Sequence, residues 1–145
     1  MATTSAAPHL ASRLRLAVAR TARRLRQEAG GGLSPTLTAA LASIENHGPL
    51  TPSELADRER VKRPTATRLI GNLEENGYVT RTSDPSDRRS SLIAVTPEGR
   101  ELMRTLRTRK DAYLAQRLRK LSAEDRETLD RAANLLERLL EEDPA

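Results

Sequence analysis

The chain has almost no aromatic side chains with which to fill a core: no Phe, no Trp, and only Tyr78 and Tyr113. Its interior must come from Leu, Ile, Val and Ala, which fill space best where helix packs on helix. A length of 145 residues suffices for one domain with its own core. The absence of cysteine excludes disulfides, thiolate metal sites and thiol redox sensing. No apolar run approaches the roughly 18 residues of a membrane span, and residues 1–8 lack an apolar signal core. A cytoplasmic protein with no membrane partner is expected.

Helical periodicity and capping signals divide the chain. Residues 1–9 read as a flexible tail, and one domain spans 10–145. Leu10, Leu14, Val18, Ala22 and Leu25 mark one face of a first helix over about 10–29, with Arg13, Arg15, Arg20, Arg23, Arg24 and Arg26 around it. Gly30-Gly31-Gly32 ends it. Ser34-Pro35 opens a second helix with buried face Leu37, Ala40, Leu41 and Ile44. Thr51-Pro52-Ser53-Glu54 is a capping box for a short third helix. After a turn at Glu59–Val61, a fourth helix runs from Arg63-Pro64 to Asn76, and Gly77 closes it. Two helices joined by so short a turn have helix-turn-helix spacing.

The period then changes. Residues 78–82 and 91–95 read as paired strands, with Ser83–Ser90 as a long, charged loop between them. Thr96-Pro97-Glu98 and Ser122-Ala123-Glu124-Asp125 open two further helices, over about 97–142 together. The expected fold is mainly α with a small β-hairpin: a winged helix-turn-helix over about 34–96, and terminal helices forming a dimerisation lobe.

The fourth helix carries the chemistry. At 100° per residue Ala66, Leu69, Ile70 and Leu73 cluster on one side. Pro64, Thr67, Arg68 and Gly71 lie opposite, flanked by Thr65 and Asn72. From Arg60 to Leu73 there are four basic residues and no acid. Such a face suits the DNA major groove, where Arg holds guanine, Asn holds adenine, and Thr meets an edge or a thymine methyl. Lys62 and Arg63 stand at the helix N-terminus, which favours a phosphate. In the hairpin, Arg88 and Arg89 are placed to enter a narrow minor groove. Asp87 has two readings, a partner that holds Arg89 extended or a turn former; Asp84, before Pro85, reads as a turn former. Ser53 completes the expected DNA-contacting set.

Charge is uneven. Residues 121–145 hold eight acids and three bases, so against an overall charge of +5 the remaining residues carry +10. By charge alone that excess has two readings, a polyanionic partner such as double-stranded DNA or a solvated surface rich in Arg. The terminal helices cannot bury their apolar stripes against the small DNA-binding unit alone, and a homodimer resolves this. In it the acidic C-terminus pairs with the Arg-rich first helix of the partner. Packing within one chain, giving a monomer, is the alternative.

The chain resembles the multiple-antibiotic-resistance regulator (MarR) family of bacterial transcription factors. The resemblance is carried by Leu50–Ala56, by Arg63–Leu69, by Leu73–Val79, by the wing Asp84-Pro85-Ser86-Asp87-Arg88-Arg89, and by Val95-Thr96-Pro97-Glu98-Gly99. It implies a homodimeric repressor that binds a pseudo-palindromic operator and is released by a small, often phenolic or anionic, effector. By position it implies that Arg68 and Thr65 read bases, that Arg89 is the wing arginine and that Asp87 is the acid beside it. No cofactor is expected, and His9 and His47 have no paired metal-ligand spacing. Arg15, Arg20 and His47 are candidates for the rim of an effector pocket. A winged-helix module that binds protein, or that binds DNA without sequence choice, is the alternative function. An enzyme is not expected: no His stands beside a Ser and an acid, and no glycine loop follows a strand.

Overall fold

A computed structural model describes residues 3–141; the side chains of residues 3–5 and of Arg88 lie outside the description. The elements are α1 (Thr3–Ala29), α2 (Pro35–His47), α3 (Pro52–Glu59), α4 (Arg63–Glu75), β1 (Val79–Asp84), β2 (Asp87–Val95), α5 (Pro97–Arg119) and α6 (Ala123–Glu141). The chain divides into two compact units, Met1–Lys110 and Asp111–Ala145.

Local signals set most boundaries. Ser34 caps α2 by accepting a hydrogen bond from the Leu37 amide at 3.2 Å. Thr51 and Glu54 close a full capping box on α3, with bonds of 3.1 and 3.0 Å. The start of α1 differs from expectation: it is helical from Thr3, so residues 3–9 extend the helix rather than form a tail. Ala6, Ala7 and Ala11 favour the helix, and Pro8, near its start, removes only one ladder bond.

The first unit has an aliphatic core. Ala40, Leu41 and Ile44 of α2, Leu55 and Ala56 of α3, and Ala66, Leu69, Ile70 and Leu73 of α4 are buried together with Val79, Ile93, Met103 and Leu106. Ala40, Leu41, Ile44, Ala66, Leu69, Ile70 and Leu73 are positions that helical spacing selected; Leu37, selected with them, is half-buried, and Met103 of α5 was not among them. In the second unit α6 has no buried residue. Leu129, Leu135, Leu139 and Leu140 are exposed, Leu140 at 79%.

The hairpin departs most from expectation. The loop read over Ser83–Ser90 is largely strand: β1 and β2 pair antiparallel from Val79↔Val95 to Ser83↔Ser91, with an irregularity before Asp84↔Asp87. Only Pro85 and Ser86 form the turn. Polar turn-forming residues continue the ladder because cross-strand backbone bonds hold them, against their weak strand preference. A further bridge joins Leu50 to Ile93, with N–H to O distances of 3.0 and 2.7 Å, and ties the entry to α3 to the hairpin.

Candidate nucleic-acid interface

The turn between α3 and α4 is built by a Schellman motif. The Val61 amide donates to Ala56 O at 3.0 Å and the Arg60 amide to Asp57 O at 3.3 Å. Val61 packs on the core. This geometry forces a left-handed backbone at Arg60, with φ 55° and ψ 45°. An L-residue there costs roughly 1–2 kcal/mol, and glycine is the usual occupant. Arg60 is exposed at the apex of the turn. The sequence reading counted its charge but did not place it in the contacting set. A non-glycine residue in a left-handed turn leaves no compositional mark.

The next helix presents the expected face. Ala66 and Ile70 are fully buried and Leu73 as well, while Lys62, Arg63, Pro64, Thr67, Arg68 and Asn72 are exposed and Thr65 is half-buried. The N-cap residue Lys62 makes no side-chain cap bond, in contrast to Ser34 and Thr51. The first amides of α4 therefore have no capping side chain and suit an external acceptor. Ser53, half-buried, lies in the first turn of α3.

Two polar side chains are partly committed. The Thr67 hydroxyl donates to Arg63 O at 3.0 Å, which leaves its methyl and lone pairs for an outside contact. Asn72 Oδ1 accepts from Asn76 Nδ2 at 3.0 Å. Bidentate recognition of adenine needs that oxygen as well as the amide nitrogen, so Asn72 must share or release it. Arg68 makes no ion pair among the described residues.

At the hairpin tip, Asp84 is the turn former expected. Its Oδ1 accepts from the Ser86 amide at 2.9 Å and from the Ser86 hydroxyl at 2.8 Å. The backbone bond first, and the hydroxyl second, hold the Asp84 carboxyl below its ordinary pKa. Asp87 Oδ1 accepts from the Arg89 backbone amide at 3.0 Å. It thus shapes the backbone ahead of Arg89 through the main chain, and makes no ion pair with its guanidinium among the described residues. Arg89 is exposed; the Arg88 side chain lies outside the described residues. Arg81 of β1 reaches Glu74 of α4 at 3.3 Å and links hairpin to helix.

The base of the hairpin is held by Thr96. Its hydroxyl donates to Gly77 O at 2.6 Å and accepts from the Gly99 amide at 3.0 Å. Gly99 has no Cβ because one would lie 2.3 Å from Tyr78 O. The Val95–Gly99 motif thus fixes α5 against the end of the fourth helix.

Of the rim residues proposed for an effector, Arg20 lines an open cleft along α1 with Leu10, Arg13, Leu14, Leu16 and Ala17, and none of the three lines a second, smaller cavity of the first unit. That cavity is lined by Arg26, Ala29, Leu33, Pro35, Leu106 and Lys110, among others. Arg15 and Arg20 are exposed on α1 and His47 at the end of α2. Beside the cavity, Arg109 Nη1 donates to Ala29 O at 2.9 Å.

A helix-turn-helix with a basic outward face, flanked by a hairpin that carries Arg89 near its tip, defines a winged helix-turn-helix DNA-binding protein. The MarR family model matches residues 33–91, which span the three central helices and most of the hairpin. ML2140 of Mycobacterium leprae, a helix-turn-helix-type transcriptional regulator, is 40% identical over 136 residues, 93% of this chain and 95% of its own. A crystal structure of a transcriptional regulator protein from Pseudomonas aeruginosa superposes with a TM-score of 0.82 at 32% identity, over 91% of this chain and 94% of that one. A MepR mutant of Staphylococcus aureus bound to an oligodeoxyribonucleotide shares the fold, with a TM-score of 0.70 at 22% identity over 90% and 96% of the two chains. The chain belongs to the MarR family of transcriptional regulators.

Proposed function

We propose that the protein binds a pseudo-palindromic operator as a homodimer, represses transcription there, and leaves DNA when a small anionic ligand binds. The observation that carries this is the outward face of α4, where exposed Arg68, Thr67 and Pro64 follow the basic N-terminus at Lys62 and Arg63. Arg68 and Thr65 read base edges, Lys62 and Arg63 hold phosphates, and Ser53 and Arg89 contact the flanking backbone and minor groove. Arg88 is assigned to the same groove from its place in the sequence. Asp87 supports Arg89 through the backbone.

Dimerisation is supported by unburied apolar surface. On α1, Leu10, Leu14, Leu16 and Val18 are between 36 and 59% exposed. In the second unit, Leu114, Leu121, Leu129, Leu135, Leu139 and Leu140 are exposed as well. Each Leu or Val buried fully contributes about 1.5–3 kcal/mol, so a second copy covering these stripes gains a large association energy. The ligand is expected at the smaller cavity of the first unit, where the cations Arg26 and Lys110 stand beside Leu33 and Leu106 and would hold its charged end.

The test combines sedimentation with duplex binding at several salt concentrations. A dimer whose Arg60, Lys62 and Arg63 meet about six phosphates gives a slope of log affinity against log salt near −5. A monomer at micromolar concentration, or a slope near zero, would contradict the proposal.

A further inference from the structure

Six of the seven glycines are accounted for within the chain. Gly30, Gly31, Gly32 and Gly77 hold positive φ angles. A Cβ on Gly48 or Gly99 would lie 2.4 or 2.3 Å from a backbone carbonyl oxygen. Gly71 is different. It lies inside α4 without a positive φ. Beyond its chain neighbours and the helix backbone, nothing comes within 4 Å of where its Cβ would stand. Glycine within a helix is destabilising relative to alanine, since it loses more backbone freedom on folding. No contact among the described residues offsets that loss.

Its position supplies a reason. The buried residues Ala66, Leu69, Ile70 and Leu73 define the inward direction of the helix. At 100° per residue Arg68 and Gly71 straddle the opposite direction, each about 30° from it. Pro64 in the first turn and Glu75 in the last lie closer still to that direction; between them Arg68 and Gly71 are the outermost pair, one with the longest reach and the other with no side chain.

We propose that Gly71 is the point of closest approach between α4 and bound DNA. The missing Cβ lets the duplex surface touch the helix backbone, and that closeness brings the Arg68 guanidinium within hydrogen-bonding distance of a base edge. A side chain at 71 would hold the helix off. A displacement of about 1 Å is enough to take a bond of about 2.9 Å out of range. Gly71 is thus a positioning residue for readout, in keeping with the rule that locally unfavourable residues mark functional sites. The inference rests on reading α4 as the groove-facing helix.

Gly71→Ala, Gly71→Val and Arg68→Ala separate the two claims. Thermal unfolding is measured without DNA, and affinity is measured on a duplex that the unaltered protein enriches from a random pool. Gly71→Ala should melt about 4 °C higher, because alanine favours the helix. It should bind about tenfold more weakly, as a methyl forced into a close contact does, and Gly71→Val should bind more weakly still. Unchanged or tighter binding by Gly71→Ala, while Arg68→Ala weakens, overturns the proposal and leaves the groove-facing helix standing. No change in any of the three overturns both. A lower melting temperature for Gly71→Ala also overturns it, since the chain itself would then need the glycine.

Discussion

Replacing Arg60 by glycine should make the protein more stable and a poorer DNA binder at once. Arg60 holds φ 55° and ψ 45° in the turn between α3 and α4. Relief of that conformation is worth about 1–2 kcal/mol, and the looser unfolded chain takes back about 0.4–1 kcal/mol. The net gain is roughly 0.5–1 kcal/mol, a rise of a few degrees in melting temperature. The side chain is exposed and makes no ion pair among the described residues, so nothing else is lost in the free protein. On DNA, a dimer losing one phosphate partner per subunit should show a salt slope shallower by about 1.8. With affinities converging near 1 M salt, that amounts to about thirtyfold at 0.15 M. Calorimetric melting and fluorescence anisotropy on a labelled duplex, over a salt series, measure both quantities. An unchanged slope would refute the phosphate contact, and a lower melting temperature would refute the account of the turn.

Arg68→Ala should reduce discrimination at one base pair by about 1–3 kcal/mol while leaving the salt slope nearly unchanged; preserved preference at every position would remove Arg68 from readout. Arg89→Ala should weaken binding most on sites with A·T-rich flanks, where the minor groove is narrow, and equal loss on all flanks would argue against insertion. Thr51→Ala removes the side-chain half of the capping box on α3, the bond its hydroxyl accepts from the Glu54 amide, and should cost about 1 kcal/mol in urea unfolding. The depressed Asp84 carboxyl makes the hairpin tip sensitive to acid. Its contribution is present above the ordinary carboxylate pKa of about 3.9 and is lost as pH falls through the lower folded value. Carbon-detected NMR titration should find Asp84 below the ordinary value. It should rise only part of the way in Ser86→Ala, which keeps the stronger backbone bond, and a full return would reverse that order.

What was legible in the sequence was what depends on neighbours along the chain. Ser34-Pro35 and Thr51–Glu54 announced helix starts because capping is local. The buried and exposed sides of α4 followed from spacing alone. What depends on partners across the fold was not legible. The hairpin at Ser83–Ser90 looked like a loop by composition, yet pairing with the opposite strand carries it up to a two-residue turn. The bond of Asp87 goes to a backbone amide, and the oxygen of Asn72 to Asn76, choices that residue type does not dictate. The left-handed turn at Arg60 was not legible either, because an arginine there resembles any other surface arginine. Gly71 was placed on the outward face, but its significance needed the empty space around it.

The central claim is sequence-specific reading of DNA by two copies of α4, and selection from a random duplex pool tests it most directly. The account predicts enrichment of an inverted repeat whose half-sites lie about one helical turn, roughly 34 Å, apart. Salt-sensitive binding without any enriched sequence would contradict it, and would leave a winged helix that holds DNA without reading it.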